Sequence, residues 1–188
     1  VVSQHYPPDR STTAGILFAI AEHLATKAPV LVISGTPRTM NQVEGPPIVE
    51  IGSGLPPKGA LIRRALAELL FVTRAFLVLL VRLKRDDVVL TVTAPFLLPH
   101  AVVAATRLKR GKSILILHDL FPEVLVVAGI TGAKSLLAKA LGAANRVMFA
   151  TLTAVVTIGR DTEHRLSRYG TDISRKIYLI PNWATLAA

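Results

Sequence analysis

The chain has 188 residues, 51% of them apolar, which is enough for a sizeable core and too apolar for intrinsic disorder. It has no cysteine, which excludes disulfides, thiolate metal sites and a cysteine nucleophile and is compatible with a reducing cytoplasmic setting. Lys and Arg outnumber Asp and Glu by 22 to 12, and the resulting charge of +10 favours an anionic partner: nucleic acid, anionic lipid headgroups or a phosphorylated substrate.

In chain order, VVSQH (1–5) reads as a first strand, followed by the polar, proline-bearing loop QHYPPDRSTTAG (4–15) and a helix from Thr13 to Lys27. VLVIS (30–34) and IVEI (48–51) are the next strands, and Pro29, Pro46, Pro47, Pro56 and Pro57 punctuate their connections. A long helix from Gly59 to Lys84 leads to VVLTVT (88–93), and a helix from Phe96 to Arg110 leads to SILILH (113–118). A helix from Lys134 to Thr151 precedes AVVTI (154–158), and a short one from Arg160 to Tyr169 precedes IYLIP (177–181). Nearly uninterrupted apolar strands that alternate with helices predict a doubly wound, mostly parallel α/β sheet, because parallel strands need crossover helices. Residues 1–188 read as a single domain without repeat or low-complexity tract.

The most apolar stretch, LLFVTRAFLVLLV (69–81), is too short to span a bilayer and carries Arg74 near its middle. The surrounding helix sets Arg63, Arg64 and Arg74 among aliphatic residues, a composition suited to an anionic membrane surface, while its apolar residues nearly surround the axis and point to core packing. The N-terminus, which opens on Val1, shows no signal-peptide pattern. Aromatics make up 5% of the chain and do not interleave with the basic residues, which disfavours nucleic acid.

In an open α/β sheet the ligand crevice lies beyond the carboxyl ends of the strands, so the residues just past each strand are candidates for chemistry. In the first such loop Ser11, Thr12 or Thr13 can cap the following helix, and Ala14 and Gly15 leave room for an anion at its first turn; the plainer reading is an ordinary capped connection. Neither the dinucleotide nor the P-loop fingerprint is present. In HDLFPE, His118 suits a general base or a group that orients a hydroxyl or phosphate, and Asp119 and Glu123 suit sugar hydroxyls. The alternative is a strand-end histidine followed by a helix that starts at Pro122 and Glu123. In GRDTEHRLSRYG, Arg160 can reach a phosphate, while Arg165 and Arg168 fit a solvated basic face equally well. The five histidines show no metal-ligand spacing, and no G-x-S-x-G elbow appears.

Taken together, QHYPPDRSTTA, HDLFPEVLVVAG, AVVTIGRDTEHRL and IYLIPNWA resemble the amino-terminal half of glycosyltransferase family 4 enzymes, most closely the bacterial branch that builds surface polysaccharides and lipid-linked oligosaccharides. The resemblance covers essentially the whole chain. It implies a Rossmann-like domain forming one half of a GT-B fold, with the acceptor held mainly by this half and the nucleotide sugar mainly by a second, C-terminal domain. It implies that Arg10, Ser11, Thr12, Thr13, Ala14 and Gly15 face the donor diphosphate, that His118 lies near the reacting centre with Asp119 and Glu123 in support, and that Arg160 contacts phosphate or acceptor. It also implies transfer without an essential metal or other cofactor, to a glycan or polyprenyl-diphosphate-linked acceptor, by a cytoplasmic protein peripheral to the inner face of the membrane.

Two departures stand out. Many family members carry two adjacent glycines where this chain has Ser11 to Ala14, and the sequence stops at Ala188 before the segment that would hold the donor. The 188-residue chain alone is therefore expected to be nearly inactive. The rival reading is a non-enzymatic α/β module that binds a phosphate-bearing ligand or an acidic partner.

Overall fold

All seven predicted strands form, six of them shorter than predicted, while the fifth keeps its predicted length and starts one residue earlier. They are β1 (Val2–Ser3), β2 (Val32–Ser34), β3 (Ile48–Glu50), β4 (Val88–Val92), β5 (Lys112–Leu117), β6 (Ala154–Thr157) and β7 (Ile177–Leu179). The helices are α1 (Thr12–Ala25), α2 (Leu61–Arg82), α3 (Leu98–Lys109), α4 (Glu123–Val127), α5 (Leu136–Thr151) and α6 (Arg160–Leu166), with 3₁₀ turns at Ser167–Tyr169 and Thr171–Lys176. The computed structural model describes residues 1–37, 45–52, 60–132 and 134–181; the predicted helix start at Gly59, Pro56, Pro57 and the NWA of IYLIPNWA lie outside them.

The strands form one sheet in the order β3-β2-β1-β4-β5-β6-β7, and every neighbouring pair is parallel. This is the doubly wound, Rossmann-like α/β architecture expected. The chain winds outward from β1 through β3 in one direction, then returns to the middle and winds outward from β4 through β7 in the other. The order reverses between β1 and β4, so the loops leaving their carboxyl ends diverge and open a crevice.

Alternate strand residues point to opposite faces and meet different helices. On one face Leu17 and Ala21 of α1 pack with Val32, Val92 and Ile116. On the other, Phe71, Ala75 and Leu79 of α2 and Leu98 and Val102 of α3 cover Val2, Ile33 and Val89. Met148 and Phe149 of α5, with Leu166 of α6, cover Leu115, Leu117 and Val155 on that same face. Each buried Val, Leu, Ile, Phe or Met side chain among these contributes about 1.5–3 kcal/mol of transfer free energy.

The long helix α2 divides its apolar residues. Phe71, Val72, Ala75, Leu79 and Leu83 form the buried stripe, but Ile62, Leu66, Leu77 and Val81 are exposed, Val81 by 80%. Core packing thus accounts for one side of its C-terminal half, because the sheet and α3 together reach only that side. At the tips of β2 and β3 two glycines meet: a Cβ on Gly52 would lie 2.0 Å from the Gly35 carbonyl oxygen. Only a residue without a side chain allows that approach.

Candidate functional site

The first wall of the crevice is built by the loop after β1. Ser3 Oγ donates to the His5 carbonyl at 2.8 Å and accepts from the His5 amide at 3.1 Å, which turns the chain away from the sheet and explains why β1 is only two residues long. Asp9 then organises the turn. Its Oδ2 lies 2.5 Å from His5 Nδ1, its Oδ1 accepts the Ser11 amide at 2.9 Å, and its own amide donates to the Tyr6 carbonyl. Burial works to raise the Asp9 pKa, but the hydrogen bonds from His5 and Ser11 and the charge of His5 bring it below its ordinary value.

Of the three candidate caps, Ser11 does the capping. Its Oγ accepts the Ala14 amide at 3.3 Å, and its carbonyl accepts the Gly15 amide. The Gly15 amide is consumed by the helix, because it already sits one full turn past the cap. The first-turn amides of Thr12 and Thr13 have no acceptor among the described residues, and Arg10 is exposed beside them. Nothing stands within 4 Å of where a Gly15 Cβ would be.

The opposite wall is the pair of loops after β4 and β5. Thr93, buried just past β4, accepts the amides of both His118 (3.3 Å) and Asp119 (3.2 Å) on its Oγ1. The side chain of one strand tip therefore fixes the backbone of the next. Phe96 packs against Phe121 with the rings tilted by 47° and their centroids 5.1 Å apart, bringing the two loops together. His118 is half-buried, and its Nε2 is fully buried with no hydrogen-bond partner among the described residues. Burial pushes the imidazole below its ordinary pKa, only partly opposed by the Asp119 carboxylate, so His118 is neutral at pH 7 and its unprotonated nitrogen can accept a proton or hydrogen bond. Asp119 is exposed.

Glu123 is held by a residue distant in sequence. Both of its carboxylate oxygens accept from the Tyr169 hydroxyl, at 2.9 and 3.1 Å, which ties α4 to the 3₁₀ turn after α6. Behind this pair sits Asn145 of α5, 3% exposed. Its Nδ2 donates to the Phe121 carbonyl and, at 3.5 Å, to Tyr169, while its Oδ1 lies 3.2 Å from His100 Nε2. Burial, together with the neighbouring Glu123 carboxylate, pushes the Tyr169 hydroxyl up to about 12, and burial pushes His100 down. Glu123 is thereby occupied with holding the floor of the β5 loop in place.

The fold therefore brings Asp119, His118 and the Arg10–Gly15 loop to the two sides of the switch point, and puts Arg160, exposed, at the start of α6 past the tip of β6. Pro122 and Glu123 do begin a helix, the short α4. Of the membrane-contact residues, Arg64 pairs with Glu68 at 3.1 Å and Arg74 donates to the Ile51 carbonyl, leaving Arg63 exposed and without a partner among the described residues. His5, Asp9, Thr93, His100, Asn145 and Tyr169 were not singled out by sequence; the hydroxyl of Thr93 at a strand tip beside the strand-order reversal was the one readable signal. Among the described residues no helix is long and apolar enough to cross a membrane, and no three His, Asp or Glu cluster as metal ligands.

The chain matches no protein-family model. It is similar to the probable glycosyltransferase WbjE of Pseudomonas aeruginosa. The two are 32% identical over 127 residues, which take in 68% of this chain and 32% of WbjE. The chain thus spans about a third of the length of the curated relative it matches.

Proposed function

We propose that this chain is the acceptor-side domain of a glycosyltransferase, one half of a GT-B enzyme that moves a sugar from a nucleotide sugar to a glycan or polyprenyl-diphosphate-linked acceptor. The observation that carries the reading is a half-buried, neutral His118 at the switch point, in a chain similar to WbjE. In the reaction the acceptor oxygen forms a bond to the sugar's anomeric carbon, the bond to the donor diphosphate breaks, and the acceptor's proton must leave. His118 accepts that proton or holds a sugar hydroxyl next to the reacting carbon, and Asp119 steadies the imidazolium that proton transfer forms. The Thr12 and Thr13 amides, Arg10 and Arg160 stabilise the departing nucleoside diphosphate, in place of a metal ion. Ser11 shapes the turn that presents those amides.

The nucleotide is held by a second domain outside this chain, in keeping with the third of WbjE that the chain spans. The enzyme belongs to polysaccharide or lipid-linked oligosaccharide synthesis, cytoplasmic and peripheral to the inner face of the membrane, with Arg63 and the exposed Ile62 and Leu66 of α2 touching anionic lipid. The test is release of nucleoside diphosphate from nucleotide sugars by the full-length parent protein. His118→Ala is expected to lower turnover by about 10²-fold or more while the thermal midpoint stays within a few degrees. Full turnover in a folded His118→Ala protein would overturn the assignment.

A further inference from the structure

Arg165 and Arg168, which sequence leaves as a solvated basic face, turn toward α5. With Lys139 and Arg146 they line a cavity of about 510 Å³ between α4, α5 and α6. Pro122 and Glu123, at the end of the loop after β5, form one edge of the cavity, and no lining residue comes from the loops after β1 or β4, so it opens on the far side of the β5 loop from the Arg10–Gly15 turn. Among the described lining residues the one carboxylate is Glu123, which already accepts the Tyr169 hydroxyl. Among the side chains the structure describes, which exclude those of Asp161 and Glu163, no carboxylate forms an ion pair with any of the four cations. A surface with four converging cations and one carboxylate is a site for an anion.

What borders the cavity narrows the ligand class. Val126, Val127 and Ala138 line it alongside the cations. Val127 is 82% exposed, and the chain that continues from it carries Ile130 at 70%, Leu136 at 84% and Leu137 at 53%. Large aliphatic side chains this open, next to unpaired basic ones, fit an amphiphile better than a freely dissolved anion. They also lie on the helical layer that holds α2 with its exposed Ile62 and Leu66, so both apolar surfaces share one side of the sheet.

We propose that the α4–α5–α6 cavity seats the phosphate headgroup of an anionic phospholipid, with Val127, Ile130, Leu136 and Leu137 entering the acyl boundary of the bilayer. Lys139, Arg146, Arg165 and Arg168 neutralise the headgroup, and the apolar rim sets the depth of insertion. The site needs no glycosyl transfer to operate, so its failure and the failure of the transferase reading are separate events.

The experiment is co-sedimentation of the 188-residue chain with vesicles of phosphatidylcholine alone or mixed with phosphatidylglycerol. The wild-type chain is expected to prefer the anionic vesicles. Each basic side chain lost near such a surface weakens partition about fivefold, so Arg165→Glu with Arg168→Glu lowers it about thirtyfold or more. Lys27→Glu with Arg107→Glu makes an equal charge change at exposed sites away from the cavity and is expected to lower partition far less. Val127→Asp with Leu136→Asp is expected to weaken binding to a degree that added salt does not reproduce. Equal losses in the two charge-reversed variants would overturn the proposal, and so would binding that ignores lipid charge. Displacement by millimolar inorganic phosphate with no effect of Val127→Asp and Leu136→Asp would assign the cavity to a free phosphate instead and overturn the lipid assignment.

Discussion

Replacing Asn145 with alanine removes a side chain that joins α3, the β5 loop and the 3₁₀ turn after α6. Asn145 is 3% exposed, donates to the Phe121 carbonyl and to Tyr169, and holds His100 Nε2 at 3.2 Å. The alanine leaves the Phe121 carbonyl and the His100 ring nitrogen without these partners, at about 1–3 kcal/mol for each stranded group, and opens a small void. A total near 3 kcal/mol corresponds to a thermal midpoint about 6–12 °C lower for a chain of this size. With an m-value of about 2 kcal/mol per molar, the urea midpoint falls by about 1.5 M with its slope unchanged. Circular dichroism followed through both transitions makes the measurement. Tyr169→Phe, which deletes only the outer hydroxyl, is expected to cost about 1 kcal/mol, and the double variant less than the sum, since both residues serve one network. A loss under about 1 kcal/mol for Asn145→Ala, or strict additivity with Tyr169→Phe, would refute the reasoning.

Gly52→Ala forces a Cβ to within 2.0 Å of the Gly35 carbonyl oxygen and is expected to cost about 1–3 kcal/mol, read as a lower thermal midpoint. Gly142→Ala, in the middle of α5 with nothing within 4 Å, is expected to add up to about 1 kcal/mol of stability, read as a higher thermal midpoint, so the two substitutions should differ in sign. Stability is expected to fall as pH drops below about 6.5: the unfolded chain binds protons there that His100 and His118, held neutral by burial, take up only at lower pH. Asp9, whose folded pKa is also lowered, contributes stability above its ordinary carboxyl range that is lost as pH falls through the lower folded value. Tyr169, raised from 10.0 to about 12, contributes stability that is lost between those values as pH rises. A thermal midpoint that stays flat from pH 8 to pH 5 would contradict the two histidine assignments.

The seven strands were readable because each is an aliphatic run bounded by Pro, Gly or polar residues, and a parallel strand buried on both faces needs nothing more. The strand order was not readable beyond its class, and with it the location of the switch point. Ser11 as cap and Pro122 as helix start follow local rules that sequence carries. The Glu123–Tyr169 and His100–Asn145 contacts join residues 46 and 45 positions apart, and no local rule pairs them. Glu123 accordingly looked like a free carboxylate. For α2, sequence showed apolar residues all round, but which of them face solvent depends on how far α3 and the sheet extend.

Thr93 fixes the β5 loop through two amides that belong to a different strand's connection. The position of the imidazole is thus written 25 residues upstream, and it exists only once β4 and β5 have aligned in register from Val88 opposite Lys112 to Val92 opposite Ile116. A slip of one residue between those strands would turn Thr93 to the other face and release both amides together. Hydrogen exchange at His118 and Asp119 is consequently a gauge of strand alignment in the centre of the sheet, and the readiness of the crevice and the correctness of the sheet are one event.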